Sequence, residues 1–373
     1  MLLKDEMECR PLDVWAREAV EDPATSWHSL MLRHTMFNTP ARLSGDVRRS
    51  RKKRYVMLPR ASGFPLCAGV VLVLMALEGL GENMTLSHDE DHGTVTLSKG
   101  DQTVWLYTYG DVTFKPYVKE LRTPKGRNVL LDSPPDHIHH HGLMLALGVD
   151  KVDFWGEHDP AAVGTQSTGA VKMNQEKLGF ASEIHWNGPD GARLLEEERT
   201  LLWHEDENAS PTLLTWSSCL AAPEGAEKAL LWGRHYFGLG MRFPGGMTGG
   251  TFLFADEGES TPVRGTEHLT CGRWCAIQGK VGGEPVTVAQ FDHPRNPRHP
   301  ARWFTMNAPF AYLSATLNLK EKPLAIAKGE PVSLLYGVAV WDGHTAREQI
   351  EAQYRAWLRI AASLPRTNKG GNP

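Results

Sequence analysis

The sequence has little excess charge of either sign. Forty Lys and Arg against 44 Asp and Glu leave a formal charge of −4, so the basic footprint of a nucleic-acid-binding surface is missing and nucleic acid is excluded as the expected partner. Beyond residue 81 no apolar run approaches the roughly 20 residues of a membrane-spanning helix. Cysteine is sparse, with 5 in 373 residues. Of these, Cys219, Cys271 and Cys275 follow residue 81. An odd number cannot all pair, and the spacing does not resemble a four-ligand zinc site. Buried free thiols are the expected state, with a small Cys271–Cys275 loop as the other option. No internal repeat or linker divides residues 82–365, which are therefore expected to form one domain.

Against these absences stand sixteen histidines and twelve tryptophans. Tryptophan offers a flat apolar area with one N–H donor, which suits a sugar face as well as a core.

The first eighty residues read separately. Residues 1–56 carry mixed charge and the basic run Arg48-Arg49-Ser50-Arg51-Lys52-Lys53-Arg54. Met57-Leu58-Pro59-Arg60 follows, then an apolar stretch from Phe64 to Leu77 and the small residues Gly79-Leu80-Gly81. A basic region, a short apolar core and a small-x-small site describe a secretory signal peptide. Residues 57–81 are thus expected to be a signal peptide, with translation starting at Met57 and 1–56 an unstructured upstream extension. The alternative is a single-pass N-terminal membrane anchor with the basic run on the cytoplasmic side. Either way the rest is expected to be extracytoplasmic, periplasmic or secreted, touching membrane only through an uncleaved N-terminal segment.

From residue 82 the pattern is that of strands. Gly93 to Tyr109 alternates around Lys99-Gly100-Asp101, and Glu183-Ile184-His185-Trp186 leads through Asn187–Gly191 into Arg193–Trp203. Further strands are expected at 211–220, 228–237, 250–255, 285–291, 309–317 and 331–340, separated by Gly and Pro clusters. That argues for an all-β, antiparallel β-sandwich. One helix is expected near the C-terminus, opened by a Thr345-Ala346-Arg347-Glu348 capping box and presenting Ile350, Tyr354, Trp357 and Leu358 on one side. Residues 366–373 read as a flexible tail.

The densest chemical feature is Asp132–Gly142. His137, His139 and His141 alternate, so an extended backbone would aim all three one way, as a divalent-metal set for Zn, Cu or Fe or as proton carriers. Downstream, Glu157 is a candidate for proton transfer with Asp136 beside it, and Trp155 for stacking on a sugar ring. In Glu196-Glu197-Glu198-Arg199 the alternation leaves two acids facing solvent, a solvated face unless Arg199 turns inward. Trp232–Arg242 reads as an apolar strand with Arg234 and His235 on opposite faces and Arg242 as a planar donor fork. The proline-rich loop Phe291–Phe304 holds His293, Asn296 and Arg302, expected to converge on the histidines as substrate contacts.

Taken together, Lys115-Pro116-Tyr117, Leu121–Gly126, Asp136–Leu143, Val152-Asp153-Phe154-Trp155, Gly238–Arg242 and Asp292–Pro297 resemble the PmoA-like family, a group of exported bacterial proteins of unsettled function, over about Trp105 to Gly343. The sequence departs from that pattern at His141, where many relatives carry arginine, and at Arg234-His235, where a lysine–glutamate pair is usual. His137, His139 and His140 remain as the family-like set. The resemblance implies a supersandwich of the galactose mutarotase-like kind, associated with sugar catabolism.

The expectation is therefore a carbohydrate-active hydrolase, lyase or epimerase with a carbohydrate or glycoside ligand. His137, His139, His140, Glu157 and Asp136 would serve acid–base catalysis. The alternatives are a metal-dependent oxygenase or hydrolase on the histidines and a non-catalytic glycan-binding protein.

Overall fold

In the two large sheets, alternate residues along each strand point to opposite faces, and the sequence fills one face of each with apolar side chains. The structure is a computed structural model that describes residues 84–364 apart from 111, 160, 205–210, 256, 257 and 259. The expected extension (1–56), signal peptide or anchor (57–81) and tail (366–373) lie outside the described residues. Among the described residues no helix is long and apolar enough to cross a membrane.

A ten-stranded sheet runs in the order Met84–Asp89, Thr94–Lys99, Gln102–Thr108, Tyr117–Leu121, Leu143–Ala146, Gly238–Arg242, Tyr312–Thr316, Arg302–Met306, Glu267–Cys271, Ser260–Arg264. An eight-stranded sheet runs Thr251–Phe254, Trp274–Val281, Glu284–Asp292, Val332–Asp342, Thr212–Ala221, Arg193–His204, Gly179–Asn187, Thr165–Asn174. A small four-stranded sheet joins Leu324–Ala327, Lys228–Trp232, Gly148–Val149 and Val152–Asp153. Every pairing between these strands is antiparallel.

One buried cluster takes Leu97, Trp105, Leu143, Leu239 and Leu313 from the first sheet and Phe180, Ile184, Leu214, Val288 and Val338 from the second. The two faces meet directly, Tyr107 and Phe180 having ring centroids 4.8 Å apart. The all-β sandwich expected from the alternation is thus the observed architecture.

The helix Arg347–Ala362 covers the other face of the eight-stranded sheet. Ile350, Tyr354, Trp357 and Ala361 are buried there against Trp274, Phe291, Ala339 and Trp341. Its start lies one position later than the capping-box expectation: Ala346 is the N-cap, and its N–H donates to Gln349 Oε1 at 3.0 Å. Thr345 is instead drawn into the sheet, its N–H donating to Thr287 Oγ1 at 2.9 Å.

The hairpin of Thr94–Lys99 and Gln102–Thr108 turns at Gly100-Asp101, with Gly100 at φ 56°. The expected single strand 228–237 breaks at Trp232. Lys228–Trp232 serves the small sheet, whereas Gly238–Arg242 enters the ten-stranded one. Gly238 makes the switch at φ 153°, and a Cβ there would collide with the Ala315 carbonyl oxygen. Arg234 and His235 therefore lie in a turn, closed by Phe237 N–H to Arg234 O at 3.3 Å, not on opposite faces of a strand. Cys275 is a free, buried thiol, so the Cys271–Cys275 loop does not form.

Trp357 is fully buried, donates Nε1–H to Thr215 Oγ1 at 2.9 Å, and fills the space left by Gly337. Trp357→Ala should lower unfolding stability by about 3–5 kcal/mol, read from the urea midpoint. An unchanged midpoint would mean that the helix contributes little to the fold.

Candidate functional site

The histidine segment is tied into consecutive turns. Ser133, at φ 44°, donates its N–H to His140 O at 2.9 Å and its hydroxyl to Ile138 O at 2.8 Å. His137 N–H donates to Pro134 O, and His140 N–H to His137 O, each at 2.9 Å. The backbone is thus not extended, and the alternation that would aim His137, His139 and His141 together is lost. His137 instead stacks on His140 (4.6 Å, 17°), while His139 meets the edges of both, at 5.6 and 4.6 Å.

His141 faces elsewhere. Its Nδ1 lies 2.8 Å from Asp132 Oδ1 and its Nε2 2.9 Å from Glu157 Oε1, with the ring stacked on Tyr117 at 4.2 Å. Both ring nitrogens are committed to carboxylates, which corrects the expected His137, His139, His141 metal set. Among the described residues no group of three or more His, Cys, Asp or Glu is arranged to hold a metal ion.

From His141 a continuous chain of polar groups extends both ways. Tyr117 O–H donates to Asp132 Oδ2 at 2.9 Å. At the other end, Lys115 Nζ, only 1% exposed, donates to Glu157 Oε1 and to the Trp155 carbonyl at 3.1 Å. Two groups behind it fix this lysine. Arg199 NH1 donates to Pro116 O at 2.9 Å, and Gln166 N–H to Phe114 O at 2.6 Å. Glu157 is aimed by a turn in which Asp153 Oδ1 accepts from the N–H groups of Trp155 and Gly156, at 2.6 and 3.2 Å.

These contacts set the charges. Burial alone would push the His141 pKa down, but its bonds to Asp132 and Glu157 outweigh burial and raise it. Burial would push both carboxylates up, yet hydrogen bonds from His141, with the Tyr117 hydroxyl at Asp132 and the Lys115 charge at Glu157, bring both below their usual values. Burial lowers Lys115, and the Glu157 charge offsets part of that. His139 falls to about 4, first through burial and then through the positive charges of Lys115 and His137. His140 is held far below its ordinary value by burial and by the cationic groups around it, so it is neutral. Desolvation and neighbouring charge thus move His139 and His141 in opposite directions.

Arg242 is 4% exposed; its NH2 donates to Asp136 Oδ2 at 2.8 Å and its guanidinium carbon lies 3.5 Å from the centre of the Phe310 ring. The structure thus brings Asp136, His137, His139, His140 and Arg242 together, with Glu157 joined to the same loop through His141. Trp155 is there too, but its ring is 3% exposed and stacked on Phe237 at 5.1 Å and 9°, so the expected open sugar platform is not formed.

His293, Asn296 and Arg302 do not join this group through any described contact. His293 meets the edge of Trp357 at 5.7 Å, on the helix side of the eight-stranded sheet. Asn296 braces its loop, donating to Asp292 Oδ1 at 2.7 Å and to Leu335 O at 2.8 Å while its Oδ1 accepts from Leu335 N–H at 2.7 Å. Arg302 sits in register with Cys271 and Thr316 within the first sheet. The polar side chains of that loop brace its own backbone and so serve the fold.

Sequence reasoning missed Lys115, Tyr117 and Asp132 as site residues. Their signals were present: Lys115-Pro116-Tyr117 leads into the strand Tyr117–Leu121, and Asp132 opens the histidine segment.

Fold and site together define an antiparallel β-sandwich protein with a buried Lys–Glu–His–Asp chain at the edge of a histidine loop. The chain belongs to the Family of unknown function (DUF6807), whose profile matches residues 94–355. A family of unsettled function was expected and a family of unknown function is found, but its description carries no PmoA designation. No curated protein matches the sequence.

Among solved structures, the chain is similar to an α-galactosidase from Lactobacillus brevis at 7% identity and a TM-score of 0.38, covering 70% of this chain and 39% of that one. A 4-alpha-glucanotransferase from Thermococcus litoralis gives 12% identity and a TM-score of 0.28, covering 70% and 40%. A protein assigned as an aldose 1-epimerase from Klebsiella pneumoniae subsp. pneumoniae gives 11% identity and a TM-score of 0.24, covering 76% and 84%. The chain thus spans about two fifths of the length of the first two.

Removing one partner of a buried ion pair leaves the other charge uncompensated. Glu157→Leu should therefore cost about 3–5 kcal/mol of stability, and Lys115→Met in the same chain should restore much of it. Urea unfolding of both variants at neutral pH checks this; equal stabilities for the single and double variants would show that Lys115 is not carried as a paired cation.

Proposed function

We propose that this protein is a carbohydrate-active enzyme of the epimerase or lyase type, working by general acid–base catalysis in the histidine loop. The observation that carries the reading is the opposite displacement of two imidazoles two residues apart. His139, held to about 4, is a free base at neutral pH. His141, raised between two carboxylates, keeps its proton, which it shares with Glu157 across a 2.9 Å hydrogen bond. Titratable groups whose environments push them apart are the expected acid and base of a site.

In this reading His139 removes a proton from carbon, and the His141–Glu157 pair delivers one to the opposite side or to a leaving oxygen. Asp132 and Lys115 hold that pair in its charge state. The carboxylates themselves favour this class over two-carboxylate glycoside hydrolysis, which needs one carboxylic acid kept protonated near neutrality. Asp132 and Glu157 are both held below their usual values and so are ionised there. A hydroxyl-rich ligand fits a rim of imidazole, carboxylate and guanidinium groups, each able to meet one or two hydroxyls.

The pH dependence follows from the signs. His139 must be unprotonated, so turnover should rise as pH passes about 4. The acid pair must hold its proton, so turnover should fall as pH rises through a value above histidine's ordinary one. Asp132→Asn, which removes an anion beside His141, should move that alkaline limb to lower pH. His139→Gln should reduce turnover by about 10²–10⁴-fold. The assay is exchange of sugar C–H protons with deuterated water, followed by NMR across a panel of aldoses, ketoses and uronates. Full exchange by His139→Gln would remove it as the base, and no exchange with any sugar would sink the class.

A further inference from the structure

Buried polar side chains almost always have hydrogen-bond partners, so several orphans at one place require an explanation. Trp155 Nε1, Arg242 Nε, Tyr312 Oη and Ser314 Oγ are buried and make no hydrogen bond to any described residue. They lie together. Arg242 is the register partner of Tyr312 and Gly240 that of Ser314, so all four positions share one face of the ten-stranded sheet. A Cβ on Gly240 would collide with the Tyr312 hydroxyl oxygen, so the glycine makes the room that this hydroxyl occupies. The Trp155 ring lies 6.0 Å from the Tyr312 ring, and His140 is 5.1 Å from Tyr312 and 6.0 Å from Trp155. Tyr236, half-buried, stands 5.0 Å from Trp155.

The chemistry of this set is one-sided. An indole N–H and a guanidinium Nε–H can only donate, and the two hydroxyls are free to do so. The cation is already met by one acid, Asp136, whose carboxylate on Arg242 NH2 at 2.8 Å is about half exposed on the histidine loop. An acceptor with two oxygens and a negative charge is the complement.

We propose that Arg242, Tyr312 and Trp155 form a carboxylate-receiving subsite, so that the substrate is a sugar acid of the uronate type. The proposal rests on the acid–base reading above and gives it its substrate class. His140 links the two halves, lying 4.6 Å from His139 on one side and 5.1 Å from Tyr312 on the other. The C–H bond adjacent to the carboxylate breaks, its proton passing to His139 and its electron pair into the carboxylate, which becomes an enediolate. The donors stabilise the charge that develops on those oxygens. Return of a proton from the His141–Glu157 pair completes epimerisation; loss of an oxygen substituent one carbon further on, taking the electron pair, completes elimination.

Calorimetric titration of the full chain with D-glucuronate and with D-glucose tests this. Hydrogen bonds to a charged group lead us to expect glucuronate to bind about tenfold or more tighter than glucose. Arg242→Gln should abolish that difference. Tyr312→Phe, which deletes an unpartnered hydroxyl, should weaken glucuronate severalfold without lowering the melting temperature. Equal affinities for the two sugars, no binding of either, or unchanged glucuronate binding by Tyr312→Phe would overturn the subsite and leave these donors to buried water alone. NMR titration of His139 and His141 in sugar-free protein tests the acid–base reading separately: a retained split with a failed sugar titration removes only the uronate.

Discussion

A charge taken out of water must be paired, and the site is built on two cations, distant in sequence and neighbours in the fold, that obey this rule. Lys115 is buried against Glu157, and Arg199 is buried against Glu197. Arg199 spends all its N–H groups: on both Glu197 oxygens, the Tyr107 hydroxyl, Gln166 Oε1 and the Pro116 carbonyl. The last of these bonds grips the residue after Lys115. The segment 115–117 is therefore clamped from the sandwich core by Arg199 and from the loop side by Glu157. Neither clamp can slip without stranding a charge, so the position of Glu157 Oε1 follows, and with it the partner of His141 Nε2. Net stabilisation by such pairs is small, because desolvation consumes most of the Coulombic gain. What they fix is position.

Fixed position explains how one short loop holds two imidazoles in opposite states. Glu157 faces His141 directly, across a hydrogen bond, whereas for His139 the charge of Lys115 outweighs that of Glu157. Had residues 137–141 been extended, the three alternating rings would have shared one environment. The turns closed by Ser133 and Pro134 break that equivalence.

The same turns mark where the sequence stopped being legible. Alternation in the strands, the glycine turn at 100, and the apolar stripe Ile350, Tyr354, Trp357 all carried through, because period and turn chemistry are local signals. Membership of the site was legible wherever several polar types crowded together, as at Asp136–His140 with Glu157. It was not legible for Lys115, just ahead of the strand Tyr117–Leu121, because its burial depends on partners 42 and 40 residues away. Glu197 and Arg199 posed the same difficulty: their inward turn is decided by Tyr107 and Pro116 on the facing sheet. The Phe291–Phe304 loop misled in the opposite sense, since crowding there reflects Asp292 bracing its own loop by accepting from Asn296, His299 and the Ala301 N–H.

The two buried arginines separate structure from function by their unused capacity. Arg199 is saturated by protein groups, as a structural cation should be. Arg242, at similar burial, leaves Nε–H without a described partner and rests its cation on a half-exposed aspartate and the face of Phe310. Such an arrangement destabilises the fold relative to a saturated one, because each orphaned donor keeps its desolvation penalty. Sequences that agree with their fold at every other level concentrate such exceptions where something other than the fold is being served. Of the ten buried side-chain atoms without a partner among the described residues, the four on Arg242, Tyr312, Trp155 and Ser314 lie together beside His140, next to the residue with the free base. A ligand that supplied oxygen acceptors would remove that penalty, and the relief would contribute to its binding.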